Sequence, residues 1–447
     1  MIRNIRIASI FILLLISTFQ LQAQTATFSP YSRYGIGELL YNGYGWQRAM
    51  GGISIGSWNA SHLNFMNPAG NTGDTVTIFE VGLNGEALNI ANSTTSQNRL
   101  NGNISYLSMG FPLKKGKWYL SIGMLPLSTA GYNIQQTNSG TEPGKAEFYY
   151  QGDGGFNRYF ASTGFKIAKG FWGGINTSYV YGTVNRTNRV EFTESGYVNS
   201  RMTNSITLSD FSFEGGLMYN KPLKNGNVLT LGLTFAPSLG INGKKNELWV
   251  NYYKGSTGSE LKRDTIAFSD GVKGDITFPM QVGFGFSVSR ENNWLIGFDA
   301  KYYQWEDLKI YGENAGLNNS MRIATGMQYI PDFKSMKYFN KVTYRIGAFY
   351  NSPKLTDPSS AMGGFFQIGK LSDKSALEVK TSDINEAGVN FGLGFPLRGK
   401  PYFSDLDLGF ELSERGTIEN NLVRERDFRI FLGLTFREEW FNKPKFD

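Results

Sequence analysis

The chain has 447 residues, no cysteine, a single histidine and a formal net charge of +7. The lack of cysteine excludes a disulfide framework, and one imidazole without thiols removes most metal-ligating and acid–base chemistry. Charges of both signs are spread along the sequence, which fits a solvated surface with some attraction to anionic lipid head groups and not a nucleic-acid footprint.

Residues 1–23 carry Arg3 and Arg6, an apolar run from Ile7 to Phe19, and then Leu21-Gln22-Ala23. A basic start, a short apolar stretch and a small residue at its end predict a secretory signal peptide cut before Gln24. The run is too short to span a bilayer as a mature helix. The mature protein is therefore expected outside the cytoplasm.

Residues 24–73 read differently from everything after them. Gly51-Gly52 is a paired flexible point, and Asn67-Pro68-Ala69-Gly70 is a turn placed directly before the first strand. Proline fixes φ and lacks a donor, so this turn can neither extend a helix nor join a ladder. The expectation is an N-terminal plug, 24–73, enclosed by a wall built from 74–437, with a periplasmic tail at 438–447.

From residue 74 onward the pattern has period two. Phe79, Val81 and Leu83 oppose Glu80, Gly82 and Asn84; farther on, Leu406, Leu408, Phe410 and Leu412 oppose Asp405, Asp407, Gly409 and Glu411. Such alternation suits strands with one lipid face and one lumen face. Fourteen segments follow this rule, at roughly 74–88, 101–113, 117–127, 157–168, 171–190, 204–220, 227–240, 274–290, 292–305, 319–329, 341–352, 386–397, 402–414 and 426–437. An even count lets an antiparallel sheet close without edges. The 54 glycines and 15% aromatic residues, with only 40% hydrophobic residues, suit the same class. The fold class read from the sequence is all-β: a closed transmembrane antiparallel barrel of about fourteen strands with an N-terminal lumenal plug.

Connection lengths alternate. Lys114-Lys115-Gly116 and Lys169-Gly170 are short, whereas 128–156, 241–273 and 353–385 are long. Short turns on one side and long loops on the other place the turns in the periplasm. The Asp332–Asn340 connection is the exception among the turns. Trp118, Trp172, Trp294 and Tyr402 open odd-numbered strands and Trp440 follows the last, which predicts an aromatic girdle at the turn end.

Gly82, Gly123, Gly297, Gly347, Gly392, Gly409 and Gly433 fall on inward positions. Glycine inside a strand often marks close approach of another backbone. A fourteen-stranded lumen is wider than its own side chains fill, so the plug is expected to occupy that space. Pro126 is expected at the outer end of the third strand, where it ends the strand or opens a gap in the wall.

Arg48-Ala49-Met50-Gly51-Gly52, then Phe65-Met66-Asn67-Pro68-Ala69-Gly70 and an immediate strand, resemble the N-terminal plug of FadL-type outer-membrane channels. Gly110-Phe111-Pro112-Leu113 and the fourteen strands extend the likeness over the mature chain. The resemblance implies a barrel that takes up long-chain fatty acids or other hydrophobic molecules. It further implies a gate made of Gly51, Gly52, Phe65, Asn67, Pro68 and Ala69, with a kink near Pro126 opening sideways into the bilayer. The chain departs from that family after Phe436, where Arg437–Asp447 continue past the usual terminal aromatic.

No nucleophile has a second imidazole to serve it, and His62, between Ser61 and Leu63 in the plug segment, reads as a hydrogen-bonded packing residue. Catalysis, a metal site and a cofactor are not expected. The expected location is the outer membrane, and the expected partners are a hydrophobic small molecule or lipid and the lipids of that membrane. The competing reading is a non-transporting barrel that serves as an accessory subunit of an outer-membrane secretion or assembly complex.

Overall fold

The structure is a computed structural model and describes residues 27–440, apart from 42, 74, 139–145, 195, 256, 353–383, 398–403 and 420–421. The expected signal peptide, nearly all of the 353–385 connection, Tyr402 and most of the 438–447 tail lie outside the described residues.

Fourteen strands form the wall: β1 Thr77–Ala91, β2 Ser96–Lys114, β3 Trp118–Asn138, β4 Ala146–Ala168, β5 Phe171–Phe192, β6 Asn199–Pro222 and β7 Asn227–Ala236, followed by β8 Gln281–Arg290, β9 Trp294–Tyr303, β10 Ser320–Tyr329, β11 Thr343–Asn351, β12 Glu386–Leu397, β13 Ser404–Gly416 and β14 Arg424–Glu438. Each pairs antiparallel with the next, and β14 pairs with β1 from Arg424↔Ala91 to Glu438↔Thr77, which closes the ring. The wall is a closed fourteen-stranded antiparallel β-barrel.

Its faces are inverted relative to a soluble sandwich. On β14, Phe428, Ile430, Leu432 and Phe436 stand 39–47% exposed, while Thr435 between them is buried. Glu80, Ser108, Asn390 and Asp407 are likewise buried on the inner face. Apolar outside and polar inside is what a strand requires between lipid and an aqueous or polar lumen.

Several boundaries differ from the sequence reading. β3 runs to Asn138 and β4 begins at Ala146, so much of the expected 128–156 loop is wall. Polar residues such as Gln135, Gln136 and Thr137 show no apolar alternation, yet their backbones pair across the ladder. The expected 241–273 loop is also wall: Leu239–Lys254 and Glu260–Phe278 form a hairpin whose first strand pairs with the outer half of β6, from Asn199↔Tyr252 to Leu208↔Gly243. The single strand expected at 274–290 is divided, because Pro279 and Met280 separate the hairpin from β8. Trp172 does not join an outer girdle. It is buried and packs on Trp58 at 5.1 Å between ring centroids, whereas Trp118 and Trp440 are exposed.

Candidate functional site

The described residues of 27–73 pack against inward faces of the strands, and they fall into two parts. In the second, α1 (Gly45–Arg48) is short and set by local chemistry: Gln47 Oε1 accepts the Tyr44 N–H at 2.9 Å, and the Gly45 N–H donates to Tyr106 Oη of β2 at 3.0 Å. Gly51 and Gly52 follow with φ of +71° and +90°, a left-handed conformation that favours glycine. A side chain at Gly51 would begin 2.6 Å from the Ala348 carbonyl oxygen of β11, and one at Gly347 would begin 2.1 Å from the Gly51 nitrogen. Two backbones are in contact there, and neither position has room for a Cβ.

The next three residues are held by one carboxylate. Asp299 of β9 accepts the N–H groups of Ser54 at 2.5 Å, Ile55 at 2.7 Å and Gly56 at 3.3 Å. Charge-assisted bonds of this kind are the stronger class. Opposite, Asn67 is fully buried; its Nδ2 donates to Ile55 O at 2.7 Å and Leu217 O of β6 at 3.2 Å, and its Oδ1 accepts the Ala69 N–H. Pro68 lies on Gly174 of β5, and Ala69 packs with Trp172 and Met218. The Asn67-Pro68-Ala69 turn therefore rests on β5 and β6. Phe65 stacks against Phe160 of β4 at 4.7 Å and belongs to the same apolar cluster as Leu125.

His62 is buried beneath Trp46, with Nδ1 2.9 Å from Glu80 Oε1 and Nε2 3.7 Å from Asp405 Oδ2. Burial, and then the charges of Arg345 and Arg437, hold its imidazole well below the usual range, so it is neutral at physiological pH. Among the described residues no cluster of His, Asp and Glu could hold a metal ion.

The first part of the segment, 27–41, meets the wall through buried Ile36, which packs with Leu127, Ala130 and Phe156, and through polar groups. Ser29 Oγ donates to Glu425 Oε1 at 2.7 Å, and Arg415 donates to Glu38 at 3.0 Å and to Ser29 Oγ at 2.7 Å. On the far side Glu38 and Leu39 add a two-residue strand to β3, with Glu38↔Thr129 and Leu39↔Ser128 as Cα partners, and Leu40 N–H donates to Leu127 O at 3.1 Å.

That edge of β3 is accessible because its partner has left. The β2–β3 ladder runs from Lys114↔Trp118 to Leu107↔Met124 and stops two residues before Pro126, which has no N–H to extend it. Beyond this point β2 continues against β1 to Ser96, and β3 continues against β4 to Asn138, with a bulge between Pro126 and Ser128. Pro126 thus sits within a long strand and not at its end. The wall is split along the outer halves of β2 and β3, and residues 38–41 lie behind the split.

Two cavities adjoin these residues. The larger, about 220 Å³, is lined on its apolar side by Leu39, Leu40, Leu127, Tyr303 and Leu317, and also receives Arg158, Lys301 and Arg322. Lys301 is paired with Glu214 at 3.1 Å, while Arg158 Nε is buried without a hydrogen-bond partner among the described residues. The smaller cavity, about 120 Å³, touches Asn103 and Ser105 of β2 and Pro126 and Thr129 of β3, the two lips of the split. Glu38, Leu39, Leu40 and Tyr41 line both.

The structure does not gather the sequence-predicted gate residues into one place. Gly51 and Gly52 face β10 and β11, Phe65 faces β4, Asn67-Pro68-Ala69 faces β5 and β6, and Pro126 faces residues 38–41. Of the seven inward glycines, Gly347 and Gly392 abut Gly51 and Ala49, and Gly297 abuts Ile53. The space at Gly82 and Gly409 is filled instead by the wall's own Tyr106 and Phe431 rings. Sequence reasoning missed Glu38–Tyr41, Arg415 and Asp299. Only Asp299 left a signal: a carboxylate at an inward position between Gly297 and Lys301.

Solved structures with this architecture are similar over nearly the whole chain. A Pseudomonas aeruginosa FadL homologue aligns with a TM-score of 0.57 at 13% identity, covering 90% of this chain and 99% of that one. The toluene transporter TodX of Pseudomonas putida aligns at 0.55 and 15%, covering 91% and 100%, and the toluene transporter TbuX of Ralstonia pickettii at 0.53 and 13%, covering 89% and 99%. At these identities the likeness establishes the fold. Comparison with curated proteins gives no match. The sequence model of a family described as BamG matches residues 1–362 and 364–447, and the chain belongs to that family.

Proposed function

We propose that this protein is an outer-membrane channel for hydrophobic or amphipathic small molecules, long-chain fatty acids among them, with a lateral exit through the split beside β3. The observation that carries the reading is the early end of the β2–β3 ladder at Leu107↔Met124, with a cavity at its lips and a larger one behind residues 38–41. An opening in the wall at bilayer level gives an apolar solute a route that avoids water. The named functions of the FadL homologue's fold relatives, TodX and TbuX, add support for a hydrophobic cargo. In this scheme residues 24–73 are the plug. Residues 38–41 move to join the cavities, Gly51 and Gly52 hold the turn against β10 and β11, Phe65 forms the inner wall, and Asn67-Pro68-Ala69 anchors the base. Arg158, with its unsatisfied Nε, suits an acidic head group on an otherwise apolar cargo.

Burial sets a limit on the mechanism. Fourteen methylenes at about 0.8 kcal/mol each give roughly 11 kcal/mol, close to nanomolar binding if fully realised. Release therefore needs either partial burial or movement of residues 38–41.

A second reading, an accessory subunit in an outer-membrane assembly complex, is favoured by the dense fixation of residues 44–73, which suits a permanent filler. Extraction of the purified native protein followed by mass spectrometry, with uptake of a long-chain fatty acid and of toluene into liposomes, tests the first reading. A retained hydrophobic molecule and saturable uptake, both weakened by Leu40→Arg, are expected. No retained molecule and no uptake of either solute would leave the subunit reading in its place.

A further inference from the structure

We propose that the turn end of the barrel is a binding rim for anionic phospholipid head groups, reinforced on one side by the Asp332–Asn340 connection. The proposal rests on reading the exposed apolar belt as membrane-embedded, but the belt itself does not require it.

Every described turn at this end exposes basic side chains. The β2–β3 turn presents Lys114, Lys115 and Lys117, and the β4–β5 turn presents Lys166 and Lys169. Lys221 and Lys224 flank the β6–β7 turn, Arg290 opens the β8–β9 turn, and Lys334 and Lys337 project from the β10–β11 connection. Among the described residues, exposed acidic groups at the same level are few: Glu291, Asp332 and Glu438. Lys115 meets Glu439 at 2.9 Å, and that contact is largely solvent-exposed and weak. At the other end charges are mixed: the Leu239–Phe278 hairpin carries Lys244 and Lys245 beside Glu247, and Lys262 and Arg263 beside Asp264 and Asp270.

Distribution decides the partner. A docking protein would call for a patch on one side, whereas these lysines follow the turns around the circumference, where head groups of one leaflet surround a barrel. Apolar neighbours stand with them: Leu113 is 46% exposed, Ile167 51% and Leu223 40%. Long lysine stems on apolar surface with the ammonium toward head groups are the expected interfacial arrangement.

The β10–β11 connection extends this chemistry. It is ordered by its own hydrogen bonds, Asp332 N–H to Asn340 O at 2.9 Å and Asn340 Nδ2 to Ser335 Oγ at 3.1 Å, and by Tyr338 Oη donating to Pro396 O. This frame displays Met336, between Lys334 and Lys337, at 95% exposure and Phe339, two residues after Lys337, at 72%. Apolar tips between lysines insert below a negatively charged head-group layer.

The test uses the full mature barrel reconstituted in phosphatidylcholine vesicles containing spin-labelled phosphatidylglycerol or spin-labelled phosphatidylcholine. Heat-modifiable mobility reports insertion separately. The phosphatidylglycerol label should be preferred by about fivefold per lysine engaged, the ratio that lysine attraction to anionic lipid implies. Added salt should erode that preference, and a variant with Lys114, Lys169, Lys221 and Lys337 all changed to Glu should abolish it. A fluorophore on Phe339→Cys should shift to the blue when phosphatidylglycerol is included. Normal insertion with equal association of the two labels would overturn the rim proposal alone, and failure to insert would overturn the membrane reading. An acidic protein retained through the same lysines, without lipid preference, would mean that the rim serves a protein instead.

Discussion

The two parts of the lumenal segment are held by different chemistry. Residues 44–73 contact the wall backbone to backbone, at glycines such as Gly347 and through three N–H groups on Asp299. Residues 27–41 also touch wall backbone, Gly37 against Thr129 and Thr27 against Gly131, and bury Ile36, but they add an ion-pair cluster of Arg415, Glu425 and Glu38 and a two-residue strand on β3. Close backbone packing has one solution, because neither side can yield without displacing a strand. The Arg415–Glu425 pair is largely buried, so opening it costs more than releasing a surface pair and requires both charges to be rehydrated or re-paired. In the proposed mechanism residues 44–73 are a fixed filler and residues 38–41 a releasable strap, which lies behind the split in the wall.

The largest expected effect comes from Gly347→Leu. Its side chain would enter the Met50–Gly51 backbone, at or above the upper end of the about 1–3 kcal/mol that overpacking costs. Residues 44–73 should then become protease-sensitive in a barrel that keeps its heat-modifiable mobility. Gly85→Ala, whose nearest neighbour would be 3.9 Å away, should change nothing. Protection unaltered by Gly347→Leu would refute the fixed-filler half of the comparison.

Asp299→Ala comes next. Three buried N–H groups lose their acceptor, and about 3 kcal/mol of local stability should go with them. Hydrogen exchange at Ser54, Ile55 and Gly56 should accelerate while exchange at Leu39 and Leu40 stays as it was. Arg415→Ala should do the reverse: about 3 kcal/mol, the low end for an opened buried pair, lost from residues 27–41, with labelling of a Leu39→Cys probe increased and residues 44–73 still protected. Equal loosening of both parts by either variant would show them to be one unit.

The smallest effect is that of pH on the packing around His62. Its pKa in the packed state lies below the ordinary value of about 6.5, so the released state binds the proton more tightly. The contribution of His62 to the stability of the packed segment is therefore full above about pH 6.5 and falls as pH drops through that value. Protease protection near Trp46 measured at pH 7.5 and pH 5 should show the loss in the parent chain and not in His62→Gln.

The alternating strands were legible because each has one apolar face, and period two survives any uncertainty about ends. The outer wall was not: residues such as Lys244, Asn246 and Glu247 are polar on both faces, and polar strands look like loops until their ladder partner is known. Pro126 was visible as an interruption, but a proline reports only a missing donor. Whether a strand ends there or loses one neighbour depends on β2, more than a dozen residues earlier. The candidate site suffered in the same way. Gly51-Gly52 and Asn67-Pro68 announce unusual backbone and were found, although they face different strands. Glu38–Tyr41 has no unusual residue, and its significance comes from the edge it covers.

A disulfide between Leu39→Cys and Ser128→Cys tests the central claim most directly. These positions are Cα partners across the added strand, and directly opposed residues of an antiparallel pair stand about 4.5–5.5 Å apart, within disulfide range. The oxidised barrel should keep its heat-modifiable mobility and its protection of residues 44–73, yet fail to take up a hydrophobic solute, and reduction should restore uptake. Normal uptake by the oxidised protein would contradict a lateral route controlled by residues 38–41.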